Sequence, residues 1–370
     1  MPYQIELKPL QYSSDSSELD WLAKDWCALA ELAPQSSYFL SWSWIKTWLS
    51  QQSKQTLWLI QAKDKSGQTL GLGIFVKKSV LKFGFISTTQ LWLHKVGDEK
   101  SDQMWIEHND FLLAEHVADD LRTAILQYLY TQNVCQWHEL RWDMHPDGIG
   151  ANWPELDMHC HQVLTSKGYH NQLQRYDDIS QGFSKNTRRQ VNRAKSLLEA
   201  QGQLNLELAS DAKQKQAWLA QIAELHKQQW QDTAWGSGFD NHCFVEFHNR
   251  LIEQNDTDII ALTLNGDVLA FGYNFRQHQS VCFYLSTIKK FEDNRIKVGL
   301  LLHTLAMQHY QNLGFRTYDF LAGDMRYKAS LSDCSYTLVS DCLYKQRHRF
   351  CLDRLLRQIK NTIERTIRRT

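Results

Sequence analysis

Residues 259–320 constrain the fold more than any other part of this chain. Two alternating runs, 259–264 and 268–275, flank Asn265-Gly266-Asp267. Asn-Gly between alternating runs marks a tight hairpin, because both central positions of that turn take a left-handed backbone. Residues 280–288 predict a third antiparallel strand. After the polar loop 289–295, Val298, Leu301, Leu302, Leu305 and Leu313 recur with helical period, and Gly314 stops the helix. Tyr318-Asp319-Phe320 follows as a strand. That order, three antiparallel strands, a helix and a further strand, is a helix crossover on an otherwise antiparallel sheet. The start of the crossover helix presents unpaired N–H groups and the positive end of its dipole, a seat for a diphosphate.

A looser version of the same order runs through the first half. Residues 21–32 and 42–50 have helical spacing, and 56–62 and 70–76 read as strands joined at Lys65-Ser66-Gly67. Residues 113–129 predict a helix and 139–142 a short strand, followed by a Gly-, Pro- and Asp-rich loop over 144–153. In the second half Ser184 is an N-cap for a helix reaching about Gln201; residues 204–208 predict a strand, and 216–230 and 244–254 helices. With 370 residues the chain is long enough for two cores. We expect an α+β protein of two α/β lobes with mixed, mostly antiparallel sheets, 1–165 and 166–345, and a basic amphipathic helix over 346–370.

Two segments carry a resemblance. Phe183-Ser184-Lys185-Asn186-Thr187-Arg188-Arg189-Gln190 resembles the Lys-Asn-x-Arg-Arg helix start of CelD-like proteins, a cellulose-biosynthesis type within the GNAT acyltransferase superfamily. Gly314 to Lys328 resembles their Gly…Tyr-Asp-Phe-x-x-Gly-(acid)-x-x-Tyr-Lys pattern. Asn109-Asp110-Phe111 in the first half is similar but less specific. The resemblance spans about Phe183 to Lys328 and implies a GNAT-like fold, duplicated as in Fem-type peptidyltransferases, with acyl transfer from acetyl-CoA or another acyl-CoA in the second half. Where the family carries a glycine-rich turn, this chain has Arg295-Ile296-Lys297-Val298-Gly299-Leu300. Gly299 permits close backbone approach, and Arg295 and Lys297 can pair with phosphate.

The candidate residues follow from both sources. Asp319, an acid between two aromatics, is either a solvent-facing strand residue or a general base, with Asp324 as the competing acid. Tyr327-Lys328 matches the aromatic–Lys pair that Fem-like enzymes place near the acceptor, where a lysine stabilises developing oxyanion charge. Tyr284 would serve as general acid to the leaving thiolate, though strand tyrosines more often pack. Lys185, Asn186, Arg188 and Arg189 form an acid-free helix face, either solvated or a clamp for an anionic substrate.

Composition excludes several classes. Lys+Arg and Asp+Glu both number 41, so no global field draws nucleic acid or membrane. The eight cysteines include no C-x-x-C pair, and His159-Cys160-His161 lacks a partner at zinc spacing, so no metal is expected. Reduced cysteines and an N-terminus without basic or apolar regions point to the cytoplasm. Among the 14 tryptophans, Trp42, Trp44, Trp48 and Trp235 could stack on sugars, but core packing is the commoner use. The tail from Gln346 carries eight basic and two acidic residues beside an apolar stripe of Leu352, Leu355, Leu356, Ile359, Ile363 and Ile367. Such a helix docks on its own domain or makes peripheral contact with anionic lipid. The expected activity is N- or O-acyl transfer to a sugar, polysaccharide precursor or small amine. The alternatives are a Fem-like transfer from aminoacyl-tRNA, or a binding protein on the same fold.

Overall fold

The computed structural model describes residues 2–11, 17–149, 158–233 and 236–367. Trp235 and residues 150–153 of the predicted loop lie outside them. In the first half, β1 (Gln4–Leu10), β2 (Thr56–Lys63), β3 (Thr69–Lys82) and β4 (Ile86–Leu93) form an antiparallel run; β5 (Leu112–Leu113) pairs with β3 alone. Helices α1 (Ser17–Glu31), α2 (Trp42–Leu49) and α3 (Ala118–Thr131) pack around it, and α3 crosses to β6 (Glu139–Pro146), parallel to β4. The second half repeats this plan. Strands β8 (Leu204–Leu208), β9 (Thr257–Leu264), β10 (Asp267–Gln277) and β11 (Ser280–Ile288) are antiparallel, and α7 (Val298–Asn312) crosses to β12 (Thr317–Ala322), parallel to β11.

The hairpin and crossover thus form as the sequence predicts. Asn265 and Gly266 take φ values of 53° and 84° at the β9–β10 turn. One detail of α7 differs. Its inward face continues through Ala306, Met307 and Tyr310, whereas Leu313 is 59% exposed at the end of the helix. Ser184 caps α4 (Lys185–Glu199) by accepting from the Thr187 N–H at 3.1 Å. Helices α5 (Ala212–Trp230) and α6 (His242–Leu251) complete the expected set.

The strands that join the halves carry no marker in the sequence. After β6 the chain leaves its own sheet half: β7 (His159–Gln172) pairs with β12. Past the short α8 (Arg326–Leu331), β13 (Cys334–Tyr344) pairs with β6 on one side and β7 on the other. The result is one 13-stranded sheet. The boundary expected at 165–166 falls inside β7, because the last strand of each lobe is exchanged. The lobes are therefore divided by sheet half and not at one chain position.

Beyond the shared sheet, aromatic side chains lock the halves together. Tyr38 stacks on Phe275 with ring centroids 4.5 Å apart, and Trp44 meets Phe247 at 4.7 Å. Trp44 and Trp48 are buried and Trp42 packs against Trp26, so these tryptophans are core residues. Where β7 faces β13, Gly168 leaves room for a ring. A Cβ there would sit 2.2 Å from the Tyr336 ring. Gly168→Ala is expected to push Tyr336 aside and cost about 1–3 kcal/mol, as overpacking does. An unchanged melting temperature would sink that expectation.

Candidate active site

β11 and β12 are paired only over Ser280–Thr317, Val281–Tyr318 and Cys282–Asp319. Beyond that point they separate, so Asp319 stands where the two parallel strands splay. Its carboxylate accepts from Tyr336 OH at 2.8 Å and from the Leu321 N–H at 2.8 Å, and lies 3.2 Å from His108 Nε2. Leu321 has φ of +60°, and β12 bulges between Asp319 and Ala322. A left-handed leucine is strained, and such strain collects at functional sites. Asp319 is therefore no solvated strand acid; its side chain is 13% exposed and held on three sides.

His108 comes from the other lobe. It lies on a loop where Trp105 and His108 both have positive φ, 47° and 48°. The Asn109-Asp110-Phe111 segment fastens that loop. Asn109 donates to the Leu93 carbonyl at 2.9 Å, Trp142 donates to the Asn109 carbonyl at 2.8 Å, and Asp110 pairs with Arg122 at 2.7 Å. The first-half motif is thus a brace that presents Glu107 and His108 to the second lobe. Burial alone would depress the His108 pKa, but the hydrogen bond and charge of Asp319, with Glu107 behind it, raise it. Burial would raise the Asp319 pKa, and the bonds from His108, Tyr336 and Leu321 outweigh that and lower it.

Glu107 and Lys328 grip one peptide from both sides. Glu107 Oε2 accepts from the Ala322 N–H at 2.6 Å, while Lys328 Nζ donates to the Leu321 carbonyl at 3.3 Å and the Ala322 carbonyl at 2.5 Å. Both side chains are buried. Burial pushes the Glu107 pKa up to about 7 against the Ala322 bond and the charges of His108 and Lys328. It lowers the Lys328 pKa, opposed by Glu107 and Asp319. Two acids, a histidine and a lysine thus share one enclosed site between the lobes, the setting in which functional pKa shifts arise.

Other candidates lie elsewhere. Tyr284 occupies the sheet face opposite α7, packs on Phe275 and His248, and donates its hydroxyl to the Met104 carbonyl at 2.6 Å. The expected general acid is committed to the lobe interface. Tyr327 lies on the α7 side, stacked on His303 at 5.5 Å, with burial raising its pKa to about 12. Asp324 is exposed and accepts from Tyr169 OH at 2.5 Å. At the start of α7, Arg295 is already paired with Asp293 at 2.6 Å. Lys297 is exposed, Val298 is buried in the core and Leu300 half-buried; a Cβ on Gly299 would sit 2.8 Å from Ile288 Cδ1. The N-cap residue Lys297 makes no side-chain bond to this helix, so its first N–H groups have no side-chain cap. α4 packs on α7 and exposes Lys185, Asn186, Arg188 and Arg189, although Arg188 spends its guanidinium on the 180, 181 and 183 carbonyls.

The first lobe's crossover helix is built differently. Asp119 and Asp120 occupy the first turn of α3, charges that complement its dipole and repel phosphate. Glu107, His108 and Tyr336 were not among the residues expected from the sequence, because no local pattern ties them to Asp319; the one hint is their neighbour, the Asn109-Asp110-Phe111 motif. Among the described residues no group of three or more His, Cys, Asp or Glu side chains is placed to hold a metal, and no helix is long and apolar enough to cross a membrane.

Residues 185–329 match the family model described as Acetyltransferase (GNAT) domain. No curated protein matches the chain in sequence. Among solved structures, the fold is similar to that of FemX, with TM-score 0.62 at 12% identity over 93% of this chain and 98% of that one. It is also similar to a conserved protein of unknown function from Bacteroides thetaiotaomicron, with TM-score 0.54 at 11% identity over 91% and 100% of the two chains. L-PGS from Bacillus licheniformis gives TM-score 0.50 at 10% identity over 87% and 96%. At such identities the likeness carries the fold alone. Residues 185–329 thus match a GNAT acetyltransferase domain, and the strand and helix order of that segment recurs in the first lobe.

Proposed function

We propose that this chain is an acyl-CoA-dependent acyltransferase with one working site, at the β11–β12 splay of the second lobe. The observation that carries the reading is the His108–Asp319 contact: the first lobe completes an acid–base pair at the point where a GNAT sheet opens. The residues at the start of α7 fit the diphosphate end of a CoA thioester through uncapped amides and exposed Lys297, while Gly299 lets the helix start pack close to Ile288. When bound, the thioester supplies the activated acyl group. Asp319 holds the Nε2–H of His108, which leaves Nδ1 as the acceptor of the proton from the attacking amine or hydroxyl. Lys328, buried and cationic, places positive charge beside the strained 321–322 peptide, where it steadies developing oxyanion charge. The CelD-like pattern at 314–328 favours a sugar, polysaccharide precursor or small amine as acceptor.

Calorimetric titration with acetyl-, malonyl- and long-chain acyl-CoA tests the donor. One of them is expected to bind, and Lys297→Glu to weaken it by about tenfold, the worth of one charge-assisted phosphate contact. No binding of any thioester would remove this reading. Exposed Lys185, Arg189, Arg193 and Lys195 along α4 favour a second one, Fem-like transfer from aminoacyl-tRNA. That reading requires a salt-dependent tRNA gel shift, and no retardation at low salt counts against it.

A further inference from the structure

Helix α9 (Arg347–Ile367) docks on the protein through Asp353, Arg349 and Phe350 and leaves four of its apolar side chains outside. Its buried anchor is Asp353, whose carboxylate meets Lys82, accepts from Tyr344 OH at 2.8 Å and pairs with Arg357 at 2.6 Å. Phe350 stacks on His159 at 5.4 Å, and Arg349 donates to the Ser87 carbonyl at 3.2 Å. Meanwhile Leu352, Leu355, Ile359 and Ile363 are 41%, 53%, 47% and 53% exposed. Their i, i+3, i+4 spacing puts them on one stripe. The stripe meets the β3–β4 hairpin: Phe83 and Ile86 line a small cavity with Leu352 and Asp353, and Phe85 in the hairpin turn is 68% exposed. A contiguous apolar patch of this kind marks a contact surface.

Charge says what kind of contact. From Gln346 onward the chain has eight basic and two acidic residues, and one of those acids, Asp353, is buried and neutralised by Lys82 and Arg357. The segment around the stripe is therefore cationic. A second copy meeting this face would bring like charges together, and a nucleic acid would leave the leucines and isoleucines without an apolar partner. A bilayer with anionic headgroups satisfies both the stripe and the cations. We propose that α9 and the β3–β4 hairpin tip seat the protein on an anionic membrane surface. This surface is separate from the splay site and does not depend on the reaction proposed there.

The test is co-sedimentation of the full-length protein with phosphatidylcholine vesicles, with and without phosphatidylglycerol, alongside a Leu355→Glu/Ile359→Glu variant. Both positions are exposed, so the variant should keep the parent's circular dichroism and melting temperature. The proposal expects the anionic vesicles to bind the parent about tenfold or more better than the neutral ones, and the variant to lose that gain. Weakening of the parent's binding in high salt would support it further. Equal pelleting of parent and variant, or none, overturns it. A parent dimer by light scattering that the variant dissolves, with no binding to vesicles, overturns it in favour of a second copy.

Discussion

Replacing Asp319 with asparagine is expected to slow acyl transfer by about 10²–10⁴-fold in the proposed enzyme, the range seen when the residue orienting a catalytic histidine is lost. The carboxylate takes three contacts, from His108, Tyr336 and the Leu321 N–H. An asparagine offers one acceptor oxygen and a donor NH₂, so it cannot meet all three and favours the wrong His108 tautomer. Thiol release under saturating acyl-CoA would measure the effect. Affinity for the thioester should hold, because Asp319 lies on the sheet face opposite α7. The pH profile separates positioning from general damage. In the parent, Asp319 raises the His108 pKa above its ordinary value, so the rate should climb with pH as His108 loses its proton. Without the carboxylate, burial dominates and that limb should move to lower pH. His108→Gln should cost as much alone as combined with Asp319→Asn, since the two act as one unit. Additive losses would separate them, and a full rate in Asp319→Asn would end the proposed mechanism.

Glu107→Gln should stabilise the protein at alkaline pH and leave it unchanged in acid. Burial holds the folded-state pKa of Glu107 at about 7, above the ordinary 4.5. For a carboxyl raised on folding, the folded state binds the proton more tightly than the unfolded chain does. Stability therefore falls as pH rises from about 4.5 to about 7, and the loss is complete above that window. Such a displacement corresponds to roughly 3 kcal/mol at most. Glutamine keeps an oxygen to accept the Ala322 N–H and carries no charge to bury. In urea unfolding, the variant's advantage should be near zero at pH 4 and on the order of 2–3 kcal/mol at pH 8.5. An equal difference at both values would refute the assignment. A stability cost at neutral pH for a buried carboxylate is what a protein retains when the group serves chemistry.

Local features were legible wherever a short segment settles its own conformation. Asn265-Gly266 fixes the β9–β10 hairpin because few residues other than asparagine and glycine accept its backbone. Ser184 fixes the start of α4 through one side-chain bond, and the apolar period through Val298, Leu301 and Leu302 fixes the inward face of α7. The GNAT order of the second lobe and Asp319 as a candidate acid followed from such features. β7 and β13 had no such marker. Their residues alternate little, and what holds each of them is a partner more than 100 residues away, as in the Cys334–His170 register.

The same limit governs the site. Asp319 and Lys328 stood out in the sequence because they share one local pattern on β12 and α8. Glu107, His108 and Tyr336 did not, because each meets Asp319 or its strand only after the lobes have closed and β13 has been placed beside β7. The sequence by itself determined the two crossover lobes, the candidate acid and the positive helix start. Only the tertiary structure decided that the acid is paired across the lobes, that Arg295 is spent on Asp293, and that Leu352, Leu355, Ile359 and Ile363 of α9 face outward. The reason is physical: turns, caps and helical periods are set by neighbours in the chain, whereas burial and ion pairing depend on which distant segments share the same enclosed space.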